Sequence, residues 1–243
     1  GDIVHNDIVV NKITGAGIKK ILRLGKGTDK TLIVRAHGAS INTYNAARKR
    51  GYNIIDVTCP MVKEIHRIAG RAEKAGFKIA VIGDKDHEEV KGIVGQLKRR
   101  PVVISSLSDM PRVTLKRSSK IAVVVQSTQN ADRVLPIVRA LEKIAGEVIF
   151  FNTICRPTRQ KQEEAKKLAL KNDVVVVLGS CKSANTRRLY NIAKAKNGKT
   201  YWIESPASIK RSWFKKAKSV GILAGASTPD ETIKETVSLL ASF

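Results

Sequence analysis

The chain alternates short apolar runs rich in β-branched residues with longer segments whose apolar positions repeat at helical spacing. This alternation predicts an α/β fold in which the sheets are mostly parallel. Five of the runs stop at small, polar or histidine residues, and a helical pattern follows each of them. These runs are 31–35, 78–82, 120–125, 173–178 and 219–223.

The predicted elements divide into three units of similar plan, at 1–59, 60–152 and 153–243, and residues 3–10 are expected to form a strand or packed segment. In open α/β sheets, ligands bind beyond the carboxyl ends of the strands. The polar residues that follow the five runs therefore predict one polar pocket built from several units. Their hydroxyl, amide, imidazole and carboxylate groups suit an anionic ligand and a proton-transfer step.

The chain is strongly basic, with 45 Lys and Arg against 21 Asp and Glu and a formal net charge of +24. Such a charge is compatible with nucleic-acid binding. The cations are scattered over many helices, however, and only 5% of the residues are aromatic, which leaves few platforms for base stacking. A solvated basic surface is favoured over a nucleic-acid interface. In either case the field would steer anionic ligands or an acidic protein partner.

The sequence has three cysteines, an odd and small number that argues against a disulfide framework and favours a reducing, cytoplasmic compartment. No apolar run reaches the roughly 18 residues that span a bilayer, so no membrane association is expected. Cys59 and Cys155 each follow a strand and precede a helix. Because a helix N-terminus stabilises a thiolate, the two could meet at one metal centre. A structural role for each is an equal alternative.

His37, His87 and Glu89 lie in loops that follow predicted strands. Small neighbours of His37 let a ligand approach the backbone, and a glutamate beside a histidine can relay a proton. A solvated acidic loop explains Glu89 and its neighbours equally well. His5 has little context, so a structural role is its default, and His66 is expected to be a surface or packing residue.

Ser183, Asn185 and Thr186 open a predicted helix directly after a strand, and Ser227 precedes another. Hydroxyl and amide donors at a helix N-terminus form a ready anion site. Ordinary helix capping is the alternative, but capping explains one of the three residues near Ser183. The sequence contains no P-loop, dinucleotide fingerprint or nucleophile elbow.

Taken together and in order, eight short strings resemble the 4-hydroxy-3-methylbut-2-enyl diphosphate reductase family, which catalyses the last step of the non-mevalonate isoprenoid pathway. Each string is weak alone, but the set spans nearly the whole chain. The strings begin at Val4, Ala36, Asp56, His87, Gln126, Ile154, Ser183 and Ala224, and they read VHN, AHGAS, DVTCP, HEEVKG, QST, IC followed by TRQ, SANT and AGASTPD.

This resemblance implies a trefoil of three small α/β units around a central four-iron, four-sulfur cluster that three cysteines hold. It implies that Cys59 and Cys155 are two of the ligands and that Glu89 is the catalytic acid. Ala184 stands where the family commonly has serine, which removes one hydrogen bond to the diphosphate. The implied substrate-binding residues are His5, His37, His87, Ser127, Thr128, Ser183, Ala184, Asn185 and Ser227.

The family carries an N-terminal Gly-Phe-Cys motif whose cysteine is the first cluster ligand, and nothing in this sequence matches it. We expect a segment before Gly1 to supply that ligand, and Cys181 is the less favoured substitute. The resemblance implies a reductive dehydroxylation that yields isopentenyl and dimethylallyl diphosphates, with electrons from ferredoxin or flavodoxin. The alternatives are a basic nucleic-acid-binding α/β protein and an inactive fragment of the reductase fold.

Overall fold

The computed structural model describes residues 7–243, with side chains from Val9 onward. His5, one of the predicted substrate-binding residues, lies outside the described residues. The strand considered for 3–10 is wrong over its described part, because Asp7–Gly15 forms helix α1. A short apolar run does not separate helix from strand by periodicity, and an acidic first residue with Lys12 in the last turn favours a helix.

The described chain forms two compact units. Unit 1 spans Lys20–Cys155, and unit 2 combines 7–19 with 156–243. The division into three units at 1–59, 60–152 and 153–243 stays a prediction. None of the helices between residues 7 and 243 is long and apolar enough to cross a membrane.

Helices and strands alternate along both units. Unit 1 contains β1 (Thr31–Val34), α2 (Ile41–Lys49), β2 (Asn53–Asp56), α3 (Pro60–Lys74), β3 (Lys78–Ile82), α4 (Glu88–Val94), β4 (Val102–Ile104), a 3-10 helix (Leu107–Arg112), β5 (Lys120–Val125), α5 (Ala131–Glu142) and β6 (Glu147–Phe150). Unit 2 contains α1, α6 (Arg156–Lys171), β7 (Val174–Leu178), α7 (Ala184–Lys196), β8 (Thr200–Ile203), 3-10 helices at Pro206–Ser208 and Arg211–Phe214, β9 (Val220–Ala224) and α8 (Asp230–Ala241).

The strands form three sheets, with the orders β1-β2 and β4-β3-β5-β6 in unit 1 and β8-β7-β9 in unit 2. Every described strand pairing is parallel. The predicted α/β class with mostly parallel sheets is thus confirmed. Because neighbouring parallel strands end at the same edge of a sheet, the loops that follow β3, β5 and β6 start side by side.

The central strands β3 and β5 of the four-stranded sheet are buried on both faces, as continuous apolar runs in parallel strands require. On β5, Ile121 and Val123 pack toward α5, whereas Ala122 and Val124 pack toward α3 and α4. In unit 2 the whole of β7 is buried in the same way between α6 and α7 on one side and α8 on the other. Burial of one such aliphatic side chain is worth about 1.5–3 kcal/mol, so these strands hold the loops at their ends firmly.

Candidate active site

Glu89 is the buried acid of unit 1, with only 2% of its surface exposed. It lies in the first turn of α4, beyond the carboxyl end of β3. Both carboxylate oxygens accept hydrogen bonds from Ser127, which follows the neighbouring strand β5. The backbone N–H of Ser127 donates to Oε1 at 2.6 Å, and its hydroxyl donates to Oε2 at 2.8 Å. The two neighbouring strand ends therefore bring the predicted acid and a predicted substrate-binding hydroxyl together.

Ser127 also anchors Cys155. The N–H of Cys155 donates to the carbonyl oxygen of Ser127 at 3.0 Å. Two residues earlier, the buried hydroxyl of Thr153 donates to the carbonyl of Val125 at 2.6 Å and accepts from its N–H at 2.7 Å. These bonds attach the segment after β6 to the end of β5, so Cys155 is fixed relative to Glu89.

The other predicted hydroxyl, Thr128, is oriented by Gln126, which is fully buried. Gln126 Nε2 donates to Thr128 Oγ1 at 3.0 Å, while its Oε1 accepts from the N–H of Asp84 at 2.9 Å. The amide side chain therefore links the loop after β3 to the loop after β5. A Cβ on Gly83 would lie only 2.9 Å from Cβ of Gln126, so glycine at that position leaves room for this link.

Cys59 is the N-cap residue of α3, and its side chain makes no capping hydrogen bond. Its N–H donates to the carbonyl of Ala36 at 3.0 Å. The preceding turn is held by Asp56, whose carboxylate accepts from the N–H of Thr58 at 3.0 Å and from its hydroxyl. Burial alone would raise the pKa of Asp56, but the hydrogen bonds from Thr58 and Lys63 lower it to about 2. The carboxylate is ionised at neutral pH and keeps this turn in place.

His37 and His87 come together, with ring centroids 5.4 Å apart and planes at 78°. His87 caps α4, because its Nδ1 accepts from the N–H of Glu89 at 3.2 Å. His37 follows β1, and next to it Gly38 has a φ of +76°, a conformation that favours glycine. The histidines, the acid and the ends of four strands thus meet within unit 1.

His66, expected from sequence to be a surface or packing residue, is a packing residue. Its ring supports the His37 loop, since a Cβ on Gly38 would lie 2.8 Å from His66 Cε1. Burial lowers the pKa of His66 to about 4, although the charge of Asp56 opposes that shift. Its Nε2 is buried with no hydrogen-bond partner among residues 7–243. His66 is therefore a neutral packing group beneath the site.

Unit 2 gathers its own polar groups at the edge where β7 and β9 end. Ser183 is the N-cap of α7, and its hydroxyl accepts from the N–H of Thr186 at 3.3 Å. Asn185 is 7% exposed, and its Nδ2 is buried with no partner among the described residues. Asn185 lies at the N-terminus of α7, a helix of 13 residues, and the N–H groups at a helix N-terminus can bind an anion. A buried donor at that place is therefore expected to bind an anion as well. Ser227 follows the adjacent β9, and Ala184 is the first residue of α7.

Cys181 lies in the loop between β7 and α7 and is exposed. A hydrogen bond to Glu204 and partial burial raise the pKa of its thiol. The same glutamate accepts from the N–H of Cys181 at 2.7 Å. All three cysteines lie in the described part of the chain and none forms a disulfide, but only Cys59 and Cys155 belong to unit 1.

The chain belongs to the LytB protein family, whose model matches residues 1–241. It is 39% identical over 243 residues to the 4-hydroxy-3-methylbut-2-enyl diphosphate reductase of Dictyoglomus thermophilum, covering 100% of this chain and 85% of that protein. The reductase of Aquifex aeolicus is 36% identical over 241 residues, with 98% of this chain and 83% of that protein covered. The family resemblance that the sequence motifs indicated is thereby confirmed.

Two solved structures are similar to this chain. A structure of (E)-4-hydroxy-3-methyl-but-2-enyl diphosphate reductase, the terminal enzyme of the non-mevalonate pathway, is 35% identical with a TM-score of 0.72, covering 100% of this chain and 87% of the other. The E-1-hydroxy-2-methyl-but-2-enyl-4-diphosphate reductase from Plasmodium falciparum is 28% identical with a TM-score of 0.90, covering 99% and 76%. These relatives are reductases, so the nucleic-acid-binding alternative is not favoured.

Proposed function

We propose that this chain is an oxidoreductase that reduces 4-hydroxy-3-methylbut-2-enyl diphosphate to isopentenyl and dimethylallyl diphosphates. Each turnover consumes two electrons and two protons, breaks the carbon–oxygen bond of the allylic hydroxyl and releases water. The observation that carries this proposal is the link from Glu89 through Ser127 to Cys155. It joins a buried acid, a hydroxyl and a thiol within one hydrogen-bonded group.

A four-iron, four-sulfur cluster is the cofactor that the family implies, and Cys59 and Cys155 fit as thiolate ligands. The Cys59 side chain is not used for capping, and both cysteines are partly exposed rather than buried in the core. Their backbone N–H groups donate to carbonyl oxygens just beyond the ends of β1 and β5. When bound, such a cluster supplies electrons to the substrate one at a time.

No group of three or more His, Cys, Asp or Glu side chains within residues 7–243 could hold a metal ion by itself. Cys59 and Cys155 therefore need a further ligand. Cys181 is the less favoured candidate for that role, because its thiol is engaged in a hydrogen bond with Glu204.

Glu89 supplies the protons in this proposal. Its carboxyl group is shielded from water, and its Oε2 lies within hydrogen-bond distance of the Ser127 hydroxyl. When its carboxyl group is protonated, Glu89 donates that proton to Ser127 Oγ while the Ser127 hydroxyl donates its own proton to the departing hydroxyl, so that water leaves instead of hydroxide. His87 orients the acid through the N–H of Glu89, and Thr128 offers a second hydroxyl that Gln126 holds in place.

The diphosphate is bound by the donors of unit 2, namely Ser183, Asn185 and Ser227. The unpaired Nδ2 of Asn185 and the helix N-terminus beside it are suited to an anion. Ala184 has no hydroxyl to contribute. We propose that His37 and the undescribed His5 also contribute to substrate binding.

The electron donor is proposed to be ferredoxin or flavodoxin, a one-electron carrier in the cytoplasm. A net charge of +24 would steer an acidic partner of this kind toward the enzyme. At saturating substrate, raising the ionic strength should therefore slow turnover with the protein donor but not with a small neutral reductant.

The proposal is tested by reconstituting the chain anaerobically with iron and sulfide, with the further cluster ligand supplied, adding a reductant and substrate, and measuring both products by mass spectrometry. Formation of the two diphosphates is expected. A preparation with full iron and sulfide content that forms neither product would overturn the proposal. Steeply salt-dependent RNA binding by a colourless protein would instead support the nucleic-acid alternative.

A further inference from the structure

The segment 35–41 runs alongside helix α4, and the contacts between the two are here called the seam. The N–H of Ile41 donates to the carbonyl of Gly95 at 3.0 Å. Gln96 Nε2 donates to the carbonyl of Ala39 at 2.7 Å. These bonds join the loop after β1 to the residues that follow α4. They fix the end of the seam that lies at the C-terminus of α4.

Close backbone packing continues along the seam. A Cβ on Gly92 would lie 3.1 Å from the carbonyl oxygen of His37 and 3.6 Å from His66 Nε2. The His66 ring, which lies near Gly92, also lies against Gly38 in the His37 loop. Because a tightly packed contact has few alternative arrangements, the His37 loop cannot shift along α4 without disturbing these groups.

Arg35 and Glu88 form an ion pair at the near end of the seam. Their side chains are only 26% and 32% exposed. Burial alone would raise the pKa of Glu88, but the charge of Arg35 and the hydrogen bond from Lys91 outweigh it and lower that pKa. Glu88 is therefore ionised at neutral pH, and a half-buried pair is screened less by salt than an exposed one.

We propose that the Arg35–Glu88 ion pair is a positioning device that holds His37 against His87 and so sets the affinity for the substrate. Arg35 lies two residues before His37, and Glu88 directly follows His87. The ion pair therefore connects the two histidine-bearing loops beside the point where the rings meet. This inference rests on the proposed function, because the substrate is the one named there.

The test is a charge swap in the full chain. Arg35→Glu and Glu88→Arg are each expected to raise KM about tenfold, with a smaller change in kcat, because the single changes place like charges together. The double variant restores an ion pair of opposite polarity and is expected to return KM to within about threefold of the original value. A double variant no better than the single ones would overturn the proposal.

The control is the more exposed ion pair between Lys120 and Glu147 at 3.0 Å, which lies at the N-terminal ends of β5 and β6, away from the ends that carry the site. Swapping those charges is expected to leave KM unchanged. The imidazole NMR signals of His37 and His87 give a readout that needs no turnover. Arg35→Glu is expected to shift the imidazole signals of both histidines, and the Lys120–Glu147 swap is expected to shift neither. If Arg35→Glu changes neither the signals nor KM, the proposal is overturned.

The NMR measurement separates this inference from the proposed function, since an inactive but folded chain still reports the position of its histidines. If the reversed variants do not fold, Arg35→Gln and Arg35→Lys replace them. Arg35→Gln is expected to shift the histidine signals, whereas Arg35→Lys keeps the charge and preserves them. If Arg35→Gln and Arg35→Lys gave the same histidine signals, the positioning role of the ion pair would be overturned.

Discussion

Ser127 binds both oxygens of the Glu89 carboxylate, with its N–H 2.6 Å from Oε1 and its hydroxyl 2.8 Å from Oε2. This arrangement spans 38 residues of sequence and depends on β3 and β5 being neighbours in one parallel sheet. The N–H of Ser127 belongs to the backbone, so it holds the Glu89 carboxylate in place even when the Ser127 side chain rotates. The Ser127 hydroxyl can pass a proton from the buried Glu89 carboxyl group to a bound substrate.

We expect Glu89→Gln to lower turnover by about 10²–10⁴-fold, the usual contribution of a positioned proton donor. Glutamine keeps the size of the side chain and can still accept a hydrogen bond from Ser127, so folding, substrate affinity and iron content should not change. Single-turnover kinetics and calorimetric titration of the substrate measure the two effects separately. Glu142→Gln, at the exposed end of α5, serves as the control; wild-type rates in the Glu89 variant would contradict the acid role.

The position of Glu89 at a strand end followed from sequence, and so did the positions of most candidate residues. Apolar runs of five or six residues that stop at polar residues mark the carboxyl ends of buried strands, where ligands bind. The runs at Lys78–Ile82 and Lys120–Val125 agree with β3 and β5 residue for residue. Their burial on both faces is what makes the pattern continuous and easy to recognise.

Contacts between distant segments could not be predicted. His66 fits the helical pattern of α3, and the approach of Gly38 and Gly92 from other elements covers its ring, whose Nε2 is buried. The ion pair of Arg35 with Glu88 joins residues 53 apart. No periodicity or local motif carries information of this kind.

A methyl group on Gly225 should destabilise unit 2, because its Cβ would lie 2.2 Å from Thr186 Oγ1. We expect Gly225→Ala to lower the free energy of unfolding by about 1–3 kcal/mol. Thr186→Ala removes a buried hydroxyl that has no partner among the described residues, so it should cost little and should recover most of the loss in the double variant.

Urea unfolding of the three variants measures this coupling. Gly198→Ala is the matched control, since a Cβ there would meet nothing within 4 Å. Additive effects of Gly225→Ala and Thr186→Ala would show that the close approach does not determine the stability.

The three cysteines should differ in their effect on iron content. We expect Cys59→Ala and Cys155→Ala each to lower the iron and sulfide bound after anaerobic reconstitution to less than about half, because each removes a thiolate ligand. Cys181→Ala should leave both unchanged, since the thiol is hydrogen-bonded to Glu204 and its pKa is raised. Chemical analysis of iron and sulfide gives the answer; loss of iron in the Cys181 variant would make that residue a ligand.

His66 should make the stability of unit 1 fall in mild acid. Burial lowers the pKa of His66 to about 4, against an ordinary value of 6.5, so protons bind the unfolded chain more readily. Above about pH 6.5 the ring is neutral in both states and has no effect. As the pH falls from 6.5 toward 4, the unfolded state alone gains a proton, which should lower the free energy of unfolding by about 2–3 kcal/mol.

The loss of stability on acidification is due to His66 if replacing that residue abolishes it. Urea unfolding at pH 7 and pH 4.5, for the wild type and for His66→Gln, isolates this contribution from that of every other titrating group. The variant should be less stable at pH 7, because glutamine fills the space beside Gly38 less well, yet it should lose less stability on acidification. A difference between the two proteins that is the same at both pH values would mean that His66 is not held neutral by burial.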